Sequence, residues 1–205
     1  NPKFNFYASG THKVILSGEG VQTVKFDTPG TSHFNILELK NYSGEGIVFE
    51  SGLAMNKLIT NGCITKSISI GSMNWKLEED VTLKCDLTIT GSEIDLNGYK
   101  LTIEGSLYQR GGTLYINGGQ LEVKGDYKIE ANNGSIVGAT LKMVNEADYV
   151  KVEGSFSIHS SVTHKDNLTA GTMEVKGNFT QIYEGSNNNP KFNFYASGTH
   201  KVILS

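Results

Sequence analysis

Apolar residues recur at alternate positions in short runs that end on glycine. LTIEGSLYQ from Leu101, LEVKGDYKI from Leu121, VKVEGSFSI from Val150 and MEVKGNFTQ from Met173 align without gaps. Each reads apolar, any, aliphatic, acid or lysine, glycine, small polar, aromatic or leucine. Alternation of period two is the signature of a β-strand with one face buried. In Leu121-Glu122-Val123-Lys124 it turns Leu121 and Val123 inward and Glu122 and Lys124 to water. Gly125 follows at a corner that a β-carbon would crowd. Asp126 is expected to be solvated, and Tyr127 with Ile129 re-enters the interior on a second side. A looser match begins at Val81 (VTLKCDLTI), and weaker ones begin at Leu58, Leu37 and Val14, the last recurring at Val202.

The starts at 14, 37, 58, 81, 101, 121, 150, 173 and 202 are separated by 20 to 29 residues and together span 188. A step of that length is one turn of a parallel β-helix, and the consensus of a leucine-rich repeat is not present. The expected fold is therefore all-β, a parallel β-helix or β-solenoid of about eight coils per 188-residue period. Coils stacked at the strand spacing of about 4.8 Å would rise by about 38 Å in one period.

A longer repeat lies over this one. Residues 1–17 read NPKFNFYASGTHKVILS, and residues 189–205 read the same seventeen letters. The chain divides into one full repeat unit, 1–188, and the start of the next identical unit, 189–205, continuous with the same solenoid. Neither end carries a polar or helical cap sequence. Phe4-Asn5-Phe6-Tyr7 opens, and Val202-Ile203-Leu204 closes, in strand-like alternation. Uncapped solenoid ends expose apolar edges, so both ends are expected to meet a further copy, in one long polypeptide or head to tail.

Helix signals are few. Leu141 to Lys151 (LKMVNEADYVK) is the best amphipathic candidate, a loop or single helical turn bulging from a coil. Thr140 has no Glu or Gln three residues later to complete a capping box. Glu184 to Pro190 reads as an extended loop.

Charge and composition exclude several partners. The net charge is −3 and Arg110 is the only arginine. The planar fork that reads phosphates and bases is thus almost missing, which argues against nucleic acid. No apolar run approaches the roughly 20 residues of a membrane span. Cys63 and Cys85 are too few for a disulfide scaffold. A buried pair of free thiols is the expected state, with a disulfide as the alternative.

The LEVKG, VKVEG and MEVKG runs, with duplication at 188 residues, give the chain a resemblance to the giant surface and secreted β-solenoid repeat proteins of bacteria. That resemblance implies secretion, an extracellular or cell-surface location, and a role as fibre, stalk or adhesin. The expected role is a structural repeat module with further copies of itself as partners. An adhesin or carbohydrate-binding stalk, with surface glycans as partner, is the second reading, and a β-helix polysaccharide lyase or hydrolase the third.

Candidate chemistry is sparse. No catalytic, cofactor-binding or metal-binding residue is assigned, and the chain is read as a non-enzyme needing no cofactor. Glu78-Glu79-Asp80 and Glu93 with Asp95 are the densest carboxylate groups a glycosidase could use, although charge on a coil exterior is the ordinary arrangement. Arg110 lies in a Gln-Arg-Gly-Gly turn without an acidic neighbour. Gly111-Gly112-Thr113 and Gly118-Gly119-Gln120 lack the aspartate of calcium-binding nonapeptides. His159 and His164, with Asp166 nearby, could hold a metal, but scattered surface histidine is the commoner case. Tyr7, Tyr42, Tyr108, Tyr115, Tyr127, Tyr149, Tyr183 and Phe156 could offer sugar-stacking rings, yet most fall where the alternation indicates the interior or a turn. Glycosylation sequons begin at Asn41, Asn133, Asn167 and Asn178.

Overall fold

The computed structural model describes residues 5–44, 46–60, 62–71, 74–183 and 192–205. It is an all-β, parallel solenoid of about seven turns, and no helix occurs among the described residues. Each complete coil runs across three faces. The first face holds Lys13–Leu16, Phe34–Leu39 and Met55–Ile59 in one ladder, then Val81–Leu83, Lys100–Ile103, Gln120–Val123, Tyr149–Val152, Thr172–Val175 and Lys201–Leu204 in a second. The second face stacks Ser67–Ile70, Asp86–Ile89, Leu107–Gln109, Tyr127–Ile129, Phe156–Ile158 and Phe179–Gln181. The third stacks Trp75–Lys76, Glu93–Asp95, Gly112–Tyr115 and Ala139–Lys142. A separate pair, Gln22–Val24 with Ile47–Phe49, lies in the early coils.

Register on the first face follows the coil starts. Val14 pairs with Leu37 and Leu37 with Leu58. Val81 pairs with Leu101, then Leu121, Val150, Met173 and Val202 follow in turn. Seven of the eight expected steps are thus hydrogen-bonded ladders. The exception is the step from Leu58 to Val81, where the expected eighth ladder is replaced by side chains. The Thr60 hydroxyl donates to the Thr82 carbonyl at 2.8 Å, and the Lys57 amine bonds Glu78 at 2.9 Å. A cleft of about 220 Å³ opens there, lined by Leu58 to Thr60, Gly62 and Glu79 to Thr82.

Alternation fills the interior as the sequence predicts. Leu101, Leu121, Val150 and Met173 are fully buried in one column, and Ile103, Val123, Val152 and Val175 in the next. Such columns gain roughly 25 cal/mol for each Å² of apolar surface removed from water. On the second face the Tyr127, Phe156, Phe179 and Phe194 rings stack in sequence at 5.3, 5.2 and 4.9 Å. The buried Tyr127 hydroxyl donates to Gln109 Oε1 at 2.6 Å, and Gln109 Nε2 donates to the Thr140 carbonyl at 2.8 Å.

Glycine marks the corner between the first two faces because the coils touch there. Gly125, Gly154 and Gly177 each donate an N–H to the glycine carbonyl one coil before, at 2.9, 3.1 and 2.9 Å. A β-carbon on Gly154 would lie 2.6 Å from the Gly125 oxygen. Asp126, expected to be solvated, instead belongs to a ladder of side-chain acceptors beside these glycines. Ser106 N–H donates to Asp86, Asp126 N–H to the Ser106 hydroxyl, Ser155 N–H to Asp126 and Asn178 N–H to the Ser155 hydroxyl. Each half-buried acceptor offsets the unpaired N–H of the next corner.

A second corner uses a different device. Asn97-Gly98 and Asn117-Gly118 take left-handed φ at both positions, 50° with 85° and 47° with 78°. Tyr99 N–H to Leu96 and Gly119 N–H to Ile116 close these two-residue turns at 2.8 Å, the arrangement for which Asn-Gly is favoured. Helix propensity in Leu141 to Lys151 is overridden. Ala139–Lys142 and Tyr149–Val152 are strands, with Leu141 and Met143 inside the core. The buried Asp148 carboxylate holds the turn between them, accepting from Val144, Asn145 and Gly118 N–H groups at 2.7, 3.0 and 2.6 Å. The loop expected over Glu184 to Pro190 lies outside the described residues.

Candidate assembly interface

Carboxylates on the coil exterior are engaged by lysines, amides and backbone; Glu79 and Asp80 border the cleft at the Leu58–Val81 step, and Glu93 and Asp95 border a depression on the third face. Glu78 and Glu79 approach Lys57 at 2.9 and 3.6 Å, and Asp80 accepts the Lys100 N–H at 2.8 Å. Glu93 exchanges hydrogen bonds with the Asn74 amide. Asp95 accepts from Asn97 N–H and the Asn117 amide at 2.8 and 2.9 Å. Arg110 carries its guanidinium 5.4 Å from the Tyr108 ring centre.

The two central histidines are interior, contrary to the surface placement expected of them. His159 and His164 are 1% and 0% exposed. His159 Nδ1 lies 2.7 Å from the Gly134 carbonyl. His164 Nε2 accepts the Leu141 N–H at 3.0 Å, which places its proton on Nδ1, toward the Val162 carbonyl at 3.3 Å. Burial lowers its pKa to about 4. Cys63 and Cys85 are free and buried, and burial pushes both thiols up.

The aromatic side chains divide differently from the sequence expectation. Tyr127 and Phe156 are core, but Tyr7, Tyr42 and Tyr183 are exposed, while Tyr108, Tyr115 and Tyr149 are half-buried on the outer faces. Tyr108 and Tyr149 adjoin the buried Leu107 and Val150, where alternation turns a side chain outward. A depression of about 280 Å³ on the third face brings Tyr115 beside Trp75, but Trp75 is 2% exposed and offers no open ring face. Among the sequons, Asn41 is buried with its amide donating to the Gly20 carbonyl at 2.7 Å, whereas Asn133 and Asn178 are exposed.

Charges on the first face are ordered along the stacking axis. Glu104, Lys124, Glu153 and Lys176 occupy one position of successive coils, each N–H bonded to the coil before, and their signs alternate. Glu122 receives Lys100 at 2.7 Å and also Lys124. Glu153 receives Lys151 and Lys176, both at 2.6 Å. These lysines hold both carboxyls down at about 2. Each exposed pair contributes little to stability. A one-coil slip, however, would set like charges side by side, so the column favours one stacking register.

The repeated segment is the feature with an unexplained capacity. Over the described residues, 5–17 and 193–205, its two copies share their turn geometry. Gly10 and Gly198 have φ of 63° and 59°, and His12 N–H to Ser9 matches His200 N–H to Ser197 at 3.2 and 3.1 Å. Yet they use opposite edges. The first copy faces the coil after it: His33, Ile36 and Lys40 N–H groups donate to the carbonyls of Phe6, His12 and Leu16 at 3.0, 3.2 and 2.7 Å. The second copy faces the coil before it: Ser197, Thr199 and Lys201 N–H groups donate to Leu168, Thr169 and Gly171, each at 2.9 Å.

Side chains repeat the division. Phe6 packs on Phe26 and Phe34 at 6.0 and 5.6 Å, whereas its counterpart Phe194 packs on Phe179 and Phe156 at 4.9 and 6.0 Å. Asn5 is exposed and accepts the Ser32 hydroxyl at 2.9 Å. Asn193 is buried, donates to the Ile182 carbonyl at 2.7 Å and accepts from the Gln181 amide. The Asn side-chain oxygen and the Phe ring enter both sets, the former with two lone pairs, while the backbone hydrogen bonds lie on opposite edges. Comparison with known family models, with curated proteins and with solved structures finds no match for this chain.

Proposed function

We propose that this chain is a structural repeat module of a long solenoid rod, joined end to end through parallel strand pairing. The observation that carries the reading is the pair of opposite-edge backbone contact sets made by residues 5–17 and 193–205. Superposing the two copies continues the interior columns and the first-face ladder from one 188-residue period into the next. The rod belongs outside the cell, on or beyond a bacterial surface, as the resemblance to secreted solenoid repeat proteins implies. Its role is mechanical spacing rather than catalysis, in keeping with exterior carboxylates already held by lysine, amide and backbone partners.

Electron microscopy of the assembled material tests this. Seven to eight strand spacings give an axial repeat of about 34–38 Å, and unbranched rods with that repeat are the expected result. Discrete particles without an axial repeat would remove the basis of the reading.

A further inference from the structure

We infer that the third face carries a glycan-binding trough centred on Tyr115, shaped for a flat, neutral, β-1,4-linked oligosaccharide lying along the stacking axis. The inference concerns a single chain and does not depend on the rod reading. Two depressions share the Tyr115 side chain as a wall. One, of about 280 Å³, lies on the Asp95 side and is bordered by Asn74, Lys76 and Glu93. The other, of about 200 Å³, lies on the Lys142 side with Asn117 and Asn145. Register aligns the two, because Lys76, Asp95, Tyr115 and Lys142 occupy one outward position of four successive coils. Further coils precede and follow all four.

The chemistry of the walls selects the ligand. Glu93–Asp95 and Gly112–Tyr115 have ladder partners on both edges, so no backbone edge is open there to an extended peptide. Lys76 and Lys142 are matched in number by Glu93 and Asp95. Lys76 lies 3.7 Å from Asp95, and the Lys142 amine 5.5 Å from the Tyr115 ring centre, so an anionic ligand meets no surplus of cations. Hydroxyl groups, which both donate and accept, suit a wall of amides and carboxylates. The amides are already oriented by the coil before: Asn117 donates to Asp95 at 2.9 Å, and Asn145 to Asn117 at 3.5 Å. Such preorganisation lowers the cost of ordering on binding. Tyr115 is half-buried, which leaves part of its ring for the C–H face of a pyranose, while the Trp75 indole lies closed beneath. A flat β-1,4-linked chain advances by little more than one strand spacing per sugar, so successive sugars meet successive coils. Four coils span about 14 Å, room for about three sugars.

Titration calorimetry of the full chain with cellotetraose tests this, with maltotetraose as the curved comparison and tetragalacturonate as the anionic one. Cellotetraose should bind with a Kd of about 0.1 mM, and the other two should give no saturable heat. Tyr115→Ala should weaken binding by about tenfold, the size of one aromatic contact. Tyr115→Phe, which keeps the ring, should recover most of that affinity. Asn74→Ala, at the exposed rim, should weaken binding by about threefold. Urea midpoints read from the single Trp75 would separate loss of the ring from loss of the fold. Should Tyr115→Ala fail to fold, Asn74→Ala carries the test. No heat with cellotetraose at millimolar concentration would overturn the inference. Equal binding of maltotetraose or tetragalacturonate would do so too, as would unchanged affinity in either folded alanine variant. None of these outcomes bears on rods seen by microscopy.

Discussion

Lowering the pH from 7 to 4.5 should destabilise the folded chain through His164, whose ring is enclosed and has exchanged water for backbone partners. Nε2 accepts the Leu141 N–H at 3.0 Å, so protonating that nitrogen would both bury a charge and break the bond. The folded pKa is about 4, against 6.5 for an unburied imidazole, and desolvation is the largest cause. A depressed pKa means that the unfolded chain binds the proton first as pH falls. The stability contributed by neutral His164 is complete above pH 6.5 and is lost as pH drops toward 4. At 1.36 kcal/mol per unit, the whole shift corresponds to about 3 kcal/mol. Urea unfolding, followed by fluorescence of the single, buried Trp75, should show the midpoint falling steadily from pH 7 to 4.5. Glu122 and Glu153, held at about 2, act in a lower window, between their unfolded value near 4.5 and about 2. A His164→Gln chain keeps an acceptor for Leu141 without a titrating group, and its midpoint should be nearly flat over the same range. Equal slopes in the two proteins would refute the assignment.

Two further substitutions probe the corner and the interior. Gly154→Ala should cost about 1–3 kcal/mol by overpacking, since the new methyl meets the Gly125 carbonyl backbone, whereas Gly98→Ala, in open space but at φ 85°, should cost about 1 kcal/mol. Matching losses in thermal unfolding would show that the 154 corner is not tightly stacked. Tyr127→Phe should lose about 1–3 kcal/mol, because it strands the buried Gln109 oxygen that now accepts the phenol at 2.6 Å. An unchanged urea midpoint would mean that Gln109 is satisfied in another way.

The sequence by itself determined the coil. Period-two alternation and the glycine that follows are local properties, and each coil start it marks falls on the first-face ladders in register. Gly125 was legible as a crowded corner because its neighbours in sequence already placed it between two inward runs. The Asn-Gly turns at 97–98 and 117–118, twenty residues apart, carried an equally local signal. What one coil does to the next was not local, and only the tertiary structure decided it. The 23-residue step from Leu58 to Val81 looks like its neighbours, yet side chains replace the ladder there. Leu141 to Lys151 satisfies a helical period in isolation, but strands on adjacent coils offer its backbone better partners, and Asp148 fixes the turn. His159 and His164 are polar in the sequence and interior in the fold, because carbonyls and N–H groups from other coils meet their nitrogens. The repeated segment shows the division most directly. Its identity at 1–17 and 189–205 announces a period, while its two opposite contacting edges exist only once coils are stacked. Hydrogen bonds between coils join residues 20 or more positions apart, and a pattern read along the chain does not record which edge of a strand a neighbour occupies.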